Sequence, residues 1–166
     1  MSISEILELT HRAAVPPYSA LLLFGSYARG DQDSASDIDI IQVTPVRTKS
    51  YTEGKINVTC YTPEQLLGMA RGGSMFARHL VMEAVPLVDP AHFVERLRTE
   101  YTPPQNYHDV RCEVTCAVPL VAIDGGIFAE GPHYYSATAS YLVRTFVYAM
   151  AFDAGPRLSQ CGRFHG

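Results

Sequence analysis

Cysteine is scarce and irregularly placed, with four among 166 residues, so no disulfide framework is expected. No apolar run approaches the ~20 residues that a membrane span needs, which excludes a helical membrane anchor from the expectations. Positive charge is not in excess. Thirteen Lys+Arg against seventeen Asp+Glu leave a formal charge of −4. That balance argues against a broad basic surface for non-specific nucleic-acid binding and leaves room only for a local basic pocket. Met1 to Leu9 carry Glu5 and Glu8 and no basic stretch, so no signal peptide is expected, and the reducing cytoplasm is the expected compartment. No internal repeat is visible. What is present is an ordinary globular mixture, 47% apolar and 18% charged, at a length that fits one domain with or without an appendage.

Apolar spacing at Ile3, Ile6, Leu7 and Leu9 predicts a helix over Ser2 to Ala14, capped by Ser2 or Ser4 and stopped by Pro16-Pro17. Ser19 to Phe24 reads as a buried strand, Gly25 to Asp31 as a turn opening into a short helix, and Asp37 to Val43 and Lys55 to Tyr61 as strands. Thr62 caps a helix with Pro63 in its first turn, and Arg71-Gly72-Gly73-Ser74 reads as a loop before a second helix, Met75 to Ala84. A short extended piece over Pro86 to Pro90 and a helix over Ala91 to Glu100 follow. Tyr101 to Gln105 is the best linker in the chain. It divides an α/β front, 1–104, from a helical rear, 105–166. In the rear, Tyr107 to Ile123 and His133 to Phe152 read as two long apolar helices separated by Asp124-Gly125-Gly126, and Pro156 to Gly166 are expected to fray. The second rear helix has little after it to cover its face, so an oligomer through the C-terminal helices is expected.

The chemistry concentrates in Leu23 to Ile41, LFGSYARGDQDSASDIDII. Gly25 permits a tight turn and a close backbone approach at the end of a buried strand. Ser26 stands where a helix begins, so free backbone N–H groups lie beside a hydroxyl, an arrangement suited to phosphate. Asp37 and Asp39 flank Ile38, and the two-residue period of a strand puts both carboxylates on one face, with Ile38 and Ile40 on the other. Carboxylates that close repel unless a cation sits between them, and they suit Mg²⁺, which takes oxygen ligands and keeps substrate phosphates in its shell. A phosphate-holding turn beside paired carboxylates is what phosphoryl or nucleotidyl transfer requires. The Gly25…Gly30 spacing is not a Walker A loop, because Asp31 and Gln32 follow where Lys and Ser/Thr are needed.

Gly25-Ser26-Tyr27-Ala28-Arg29-Gly30 followed by Ser36-Asp37-Ile38-Asp39 resembles the signature of the DNA polymerase beta-like nucleotidyltransferase superfamily. It is most similar to the minimal nucleotidyltransferases and the antibiotic nucleotidyltransferases. The resemblance implies an α/β (α+β) fold with a small mixed sheet flanked by helices and a C-terminal helical segment. It implies that Gly25 and Ser26 hold the phosphates of a nucleoside triphosphate, with Arg29 and Ser36 as further nucleotide-binding candidates, and that Asp37 and Asp39 bind Mg²⁺. The acceptor would be a hydroxyl of a small molecule or a protein.

Such enzymes usually carry a third acid on a later strand. Here the candidate positions are Asn57 and Thr59, of which Asn57 fits the register best, and Glu53, Glu83 and Asp89 have no support from register. The competing reading is therefore a degenerate, catalytically weak nucleotidyltransferase acting as a nucleotide- or partner-binding module, antitoxin-like. Other features read as structure. His108, Cys112 and Cys116 share one helix face, and a lone helix rarely closes a metal site, so core packing is expected. The series Tyr134, Tyr135, Tyr141, Phe146, Tyr148 and Phe152 reads as core or interface, Glu83 as solvated, and Arg144 as either paired or substrate-facing.

Overall fold

A computed structural model describes residues 1–123 and 132–155. The chain divides into two compact units, Met1–Pro103 and Pro104–Gly166.

The front unit runs α1 (Ile3–Ala13), β1 (Ala20–Phe24), α2 (Ser26–Arg29), β2 (Ile38–Val43), β3 (Tyr51–Glu53), β4 (Ile56–Tyr61), α3 (Pro63–Arg71), α4 (Met75–Glu83), β5 (Val85–Val88) and α5 (Phe93–Glu100). Ser2 caps α1 in a reciprocal box with Glu5, Thr62 does the same for α3 with Gln65, and Ser74 caps α4. The five strands form one mixed sheet in the order β3-β4-β2-β1-β5. β2 and β4 are parallel, and the remaining pairs are antiparallel. Two features exceed the sequence expectation. Val85–Val88 pairs with β1 as a full edge strand, and Tyr51–Glu53 forms an edge hairpin with β4 through a turn in which Gly54 takes φ +60°.

Two cores sandwich this sheet. Leu21, Leu23, Ile38, Ile40, Val58 and Cys60 face the α1 side, whereas Leu22, Ile41 and Val43 face α3, α4 and α5. Both faces are covered through the centre of the sheet, which is why β1 reads as a continuous apolar run rather than an alternation. Ile38 and Ile40 are 2% and 0% exposed. Burying each contributes about 1.5–3 kcal/mol, and a one-residue slip of β2 would exchange them for Asp37 and Asp39. The register of β2, and with it the orientation of both carboxylates, is thus set by the α1-side core.

The rear unit consists of α6 (His108–Ile123) and α7 (Pro132–Ala154). Asp153 ties their far ends together by accepting from the Tyr107 N–H (2.8 Å) and pairing with Arg111. Tyr107 and Tyr148 both pack on the Phe152 ring. Val114, Leu142, Thr145 and Ala149 are buried. The expected turn at Asp124 to Gly126 and the segment 156–166 lie outside the described residues, as do the side chains of Tyr134, Tyr135 and Tyr141. Cys112 and Cys116 are exposed rather than part of a core, and Cys112 Sγ lies 3.4 Å from His108 Nε2. Among the described residues no group of three or more His, Cys, Asp or Glu is placed to hold a metal, and no helix is long and apolar enough to cross a membrane. Arg144 is exposed.

Candidate active site

β1 delivers the chain to Gly25, whose backbone takes φ +74°, ψ −153°, a conformation open in practice to glycine alone. A methyl group built on Gly25 would lie 2.7 Å from Asp39 Oδ2, so the turn rests directly against that carboxylate. The pairing of Phe24 with Asp39 across β1 and β2 creates this approach. The single turn of α2 is closed by Ala28 and Arg29 donating to the Gly25 carbonyl. The N–H groups of Ser26 and Tyr27 precede those bonds and are the unsatisfied donors of a helix start. Gly25 is the cap residue and makes no side-chain bond, so Ser26 is the first helical residue and not a cap.

Asn57 locates the other half of the site. It pairs with Asp39 across the parallel β2 and β4, and its Nδ2 lies 3.4 Å from both Asp37 Oδ2 and Asp39 Oδ1. The two carboxylates therefore converge on one amide, as the alternation of residues 37 to 40 requires. The Asn57 oxygen points away from them and accepts from Thr52 Oγ1 at 3.0 Å. Residues 13–69, which span β1 to most of α3, match the family model described as "Nucleotidyltransferase domain". The match bears out the resemblance of this segment to nucleotidyltransferase domains of the DNA polymerase beta-like superfamily. No curated protein matches the chain. A solved structure described as "Crystal structure of the toxin-antitoxin with AMP-PNP" aligns over 78% of this chain and 98% of its own, at 16% identity and a TM-score of 0.41. At that score and identity it bears on neither the fold nor the function.

Around the carboxylate pair the other candidates separate. Arg29 donates to Asp31 and to Glu83, each at 3.1 Å. Hydrogen bonding to Asp31, and then to Glu83, raises its pKa from the ordinary arginine value. Glu83 is not solvated: its side chain is 13% exposed, and His79 lies on its other oxygen at 3.8 Å. The 54-residue separation between Arg29 and Glu83 hides this pair from any reading of local pattern. Burial pushes the His79 imidazole below its ordinary value, and Glu83 opposes the shift. Ser36 exchanges hydrogen bonds with Asp33, which also accepts from the Ala35 N–H, so its hydroxyl is engaged in the loop that introduces Asp37.

Glu53 pairs with Ile56 and lines a cleft on the α1 side with Leu9 and Ile38, on the face opposite Asn57. Asp89 accepts from the N–H groups of Phe93 and Val94 at the start of α5. Neither acid joins the carboxylate pair. Thr52 is the contributor that sequence reading missed. Its signal was a β-branched residue just before Glu53-Gly54, a tight-turn pattern opposite β4.

Replacing Gly25 by Ala is expected to lower the urea midpoint by the equivalent of about 1–3 kcal/mol for backbone strain alone. The contact with Asp39 adds to that cost and displaces the carboxylate. Gly30→Ala is the control. Gly30 takes φ +78° with nothing within 4 Å of the added methyl, so only a left-handed backbone cost of about 1–2 kcal/mol applies. Equal losses in the two variants would show that the Gly25 turn does not bear on Asp39.

Proposed function

We propose that the protein is a Mg²⁺-dependent nucleotidyltransferase that moves a nucleoside monophosphate from a nucleoside triphosphate to a hydroxyl of a small molecule or protein. The observation that carries this reading is the convergence of Asp37 and Asp39 on Asn57 with the Gly25 turn packed against Asp39. The family match supports nucleotidyl transfer in general. The N–H groups of Ser26 and Tyr27 and the Ser26 hydroxyl would take the β- and γ-phosphates. Two carboxylates with substrate phosphates are a donor set that suits Mg²⁺, so Asp37 and Asp39 are its assigned ligands, and when bound it supplies positive charge beside the phosphate oxygens. Asn57 donates to the carboxylates and keeps them from turning apart. In the reaction a bond forms from the acceptor oxygen to the α-phosphorus, and the bond to the bridging oxygen breaks. Pyrophosphate leaves with that electron pair, and the hydroxyl proton passes to solvent.

The test is thermal unfolding with each of the four triphosphates, with and without Mg²⁺. Ligand that binds only the folded state raises the Tm. The shift is expected only when Mg²⁺ is present, and equal shifts in its absence would overturn the metal role. A second reading, the binding module, is favoured by Asn57, which carries no negative charge where an acid is usual. A Mg²⁺-dependent shift with no pyrophosphate release across a broad acceptor panel would select it.

The proposed oligomer has a defined face. Val143, Phe146, Val147 and Met150 recur at i, i+3, i+4 and i+7 on α7 and are 62%, 37%, 54% and 48% exposed. Sedimentation at micromolar concentration is expected to show a dimer or larger species that Val147→Glu dissociates. A monodisperse monomer for the unaltered protein, with no co-purifying chain, would count against the interface.

A further inference from the structure

Most Arg and Lys side chains of the front unit are engaged within it. Arg12, Arg29, Arg71, Arg96 and Arg98 lie in ion pairs, Lys55 donates to the Ser34 carbonyl, and Arg78 is buried. The two exceptions, Arg47 and Lys49, stand two residues apart on the exposed loop between β2 and β3. Both line one cleft of about 510 Å³, together with Ser50, Thr59, Tyr61 and Gln65. No carboxylate lines it. In a chain of net charge −4, two uncompensated cations among hydroxyl groups make a local anion site.

Its position relative to the carboxylates is given by the sheet. Thr59 is two residues beyond Asn57 on the same face of β4, about 7 Å along the strand. β2, which carries Asp39, lies between β4 on one side and β1 on the other. The Gly25 turn leaves from β1. The donor phosphates and the basic cleft therefore approach the carboxylates from opposite sides. Phosphoryl transfer requires the attacking and leaving oxygens to stand roughly in line. If pyrophosphate leaves on the β1 side, the attacking hydroxyl arrives from the β4 side.

We infer that the Arg47–Lys49 cleft binds a phosphate group carried by the hydroxyl acceptor, so that the acceptor is itself a phosphorylated molecule. This rests on the nucleotidyltransferase reading for the direction of attack, whereas the phosphate preference rests on the cleft alone. The two cations supply charge attraction. Ser50 and Thr59 add hydroxyl donors, and Tyr61 provides an aromatic face beside them.

The test uses the full chain and a fluorescent nucleoside, with and without a 5′-phosphate, at several salt concentrations, beside inorganic phosphate as competitor. The phosphorylated probe is expected to bind at least tenfold tighter than the unphosphorylated one, with an affinity that falls as salt rises. Arg47→Gln/Lys49→Gln is expected to erase that preference while leaving the Mg²⁺-dependent triphosphate shift unchanged. A double variant that loses the triphosphate shift would overturn the inference by assigning the cleft to the donor. Equal binding of the two probes to the unaltered protein would overturn it as well. Retained phosphate preference without any triphosphate shift would instead overturn the nucleotidyltransferase reading and leave the anion site standing.

Discussion

Asp39→Asn is expected to abolish the Mg²⁺-dependent triphosphate shift and to reduce pyrophosphate release by about a thousandfold or more. Metal charge stabilisation is a several-kcal/mol effect, and each 1.4 kcal/mol is about tenfold in rate. Asp39 is the carboxylate that touches both halves of the site, lying against the Gly25 turn on one side and Asn57 on the other. The fold should survive. The substitution keeps the shape of the side chain, weakens the bond to Asn57 (3.4 Å), worth about 1 kcal/mol, and removes the repulsion between residues 37 and 39. Far-UV circular dichroism and the urea midpoint check that point. Asp89→Ala supplies the opposite pattern. It removes the acceptor for two N–H groups at the start of α5, which costs about 0.5–2 kcal/mol, and leaves the triphosphate shift in place. A wild-type-like shift in Asp39→Asn would refute the assignment of Asp39 as a ligand.

Asn57→Asp is expected to act with opposite signs depending on Mg²⁺. At present the Asn57 amide donates to both carboxylates. An aspartate there turns a donor into a third negative charge. Like charges about 4 Å apart at an effective dielectric of about 20 repel by up to about 4 kcal/mol per pair, and solvent around the exposed Asp37 reduces this. The Tm without Mg²⁺ should therefore fall. With Mg²⁺ the three carboxylates share a cation, so the stabilisation on adding it should exceed that of the unaltered protein, and half-saturation should come at lower Mg²⁺. Thr52 still donates to one oxygen of the new carboxylate and limits its rotation. Pyrophosphate release should rise by about tenfold or more, in line with a charge effect of a few kcal/mol at most. A Mg²⁺ titration of Tm distinguishes this from a general stability change. If Asn57→Asp changes neither the Mg²⁺ dependence nor the rate, Asn57 has no part in the metal site.

Local chemistry made much of the front unit legible in advance. Ser2 and Thr62 announce helix starts because a hydroxyl three residues before a backbone N–H caps it wherever the helix lies. The run Ala20 to Phe24 and the alternation Asp37 to Ile40 announce strands, since the period of two is a property of the extended backbone. The orientation of the two carboxylates follows from that alternation and from the burial of Ile38 and Ile40. What escaped depends on pairing between distant segments. β3 is three residues long and holds its place only through its hairpin with β4, and that hairpin is what brings Thr52 to Asn57. Glu83 reads as an ordinary solvated helix residue until the fold brings the end of α4 within reach of Arg29. Arg47 and Lys49 look like two more surface cations until the front unit's other Arg and Lys side chains find partners and these do not. Each of these depends on which strands and helices become neighbours. Neighbourhood is settled by burying apolar faces over the whole unit, and no short window of sequence carries that information.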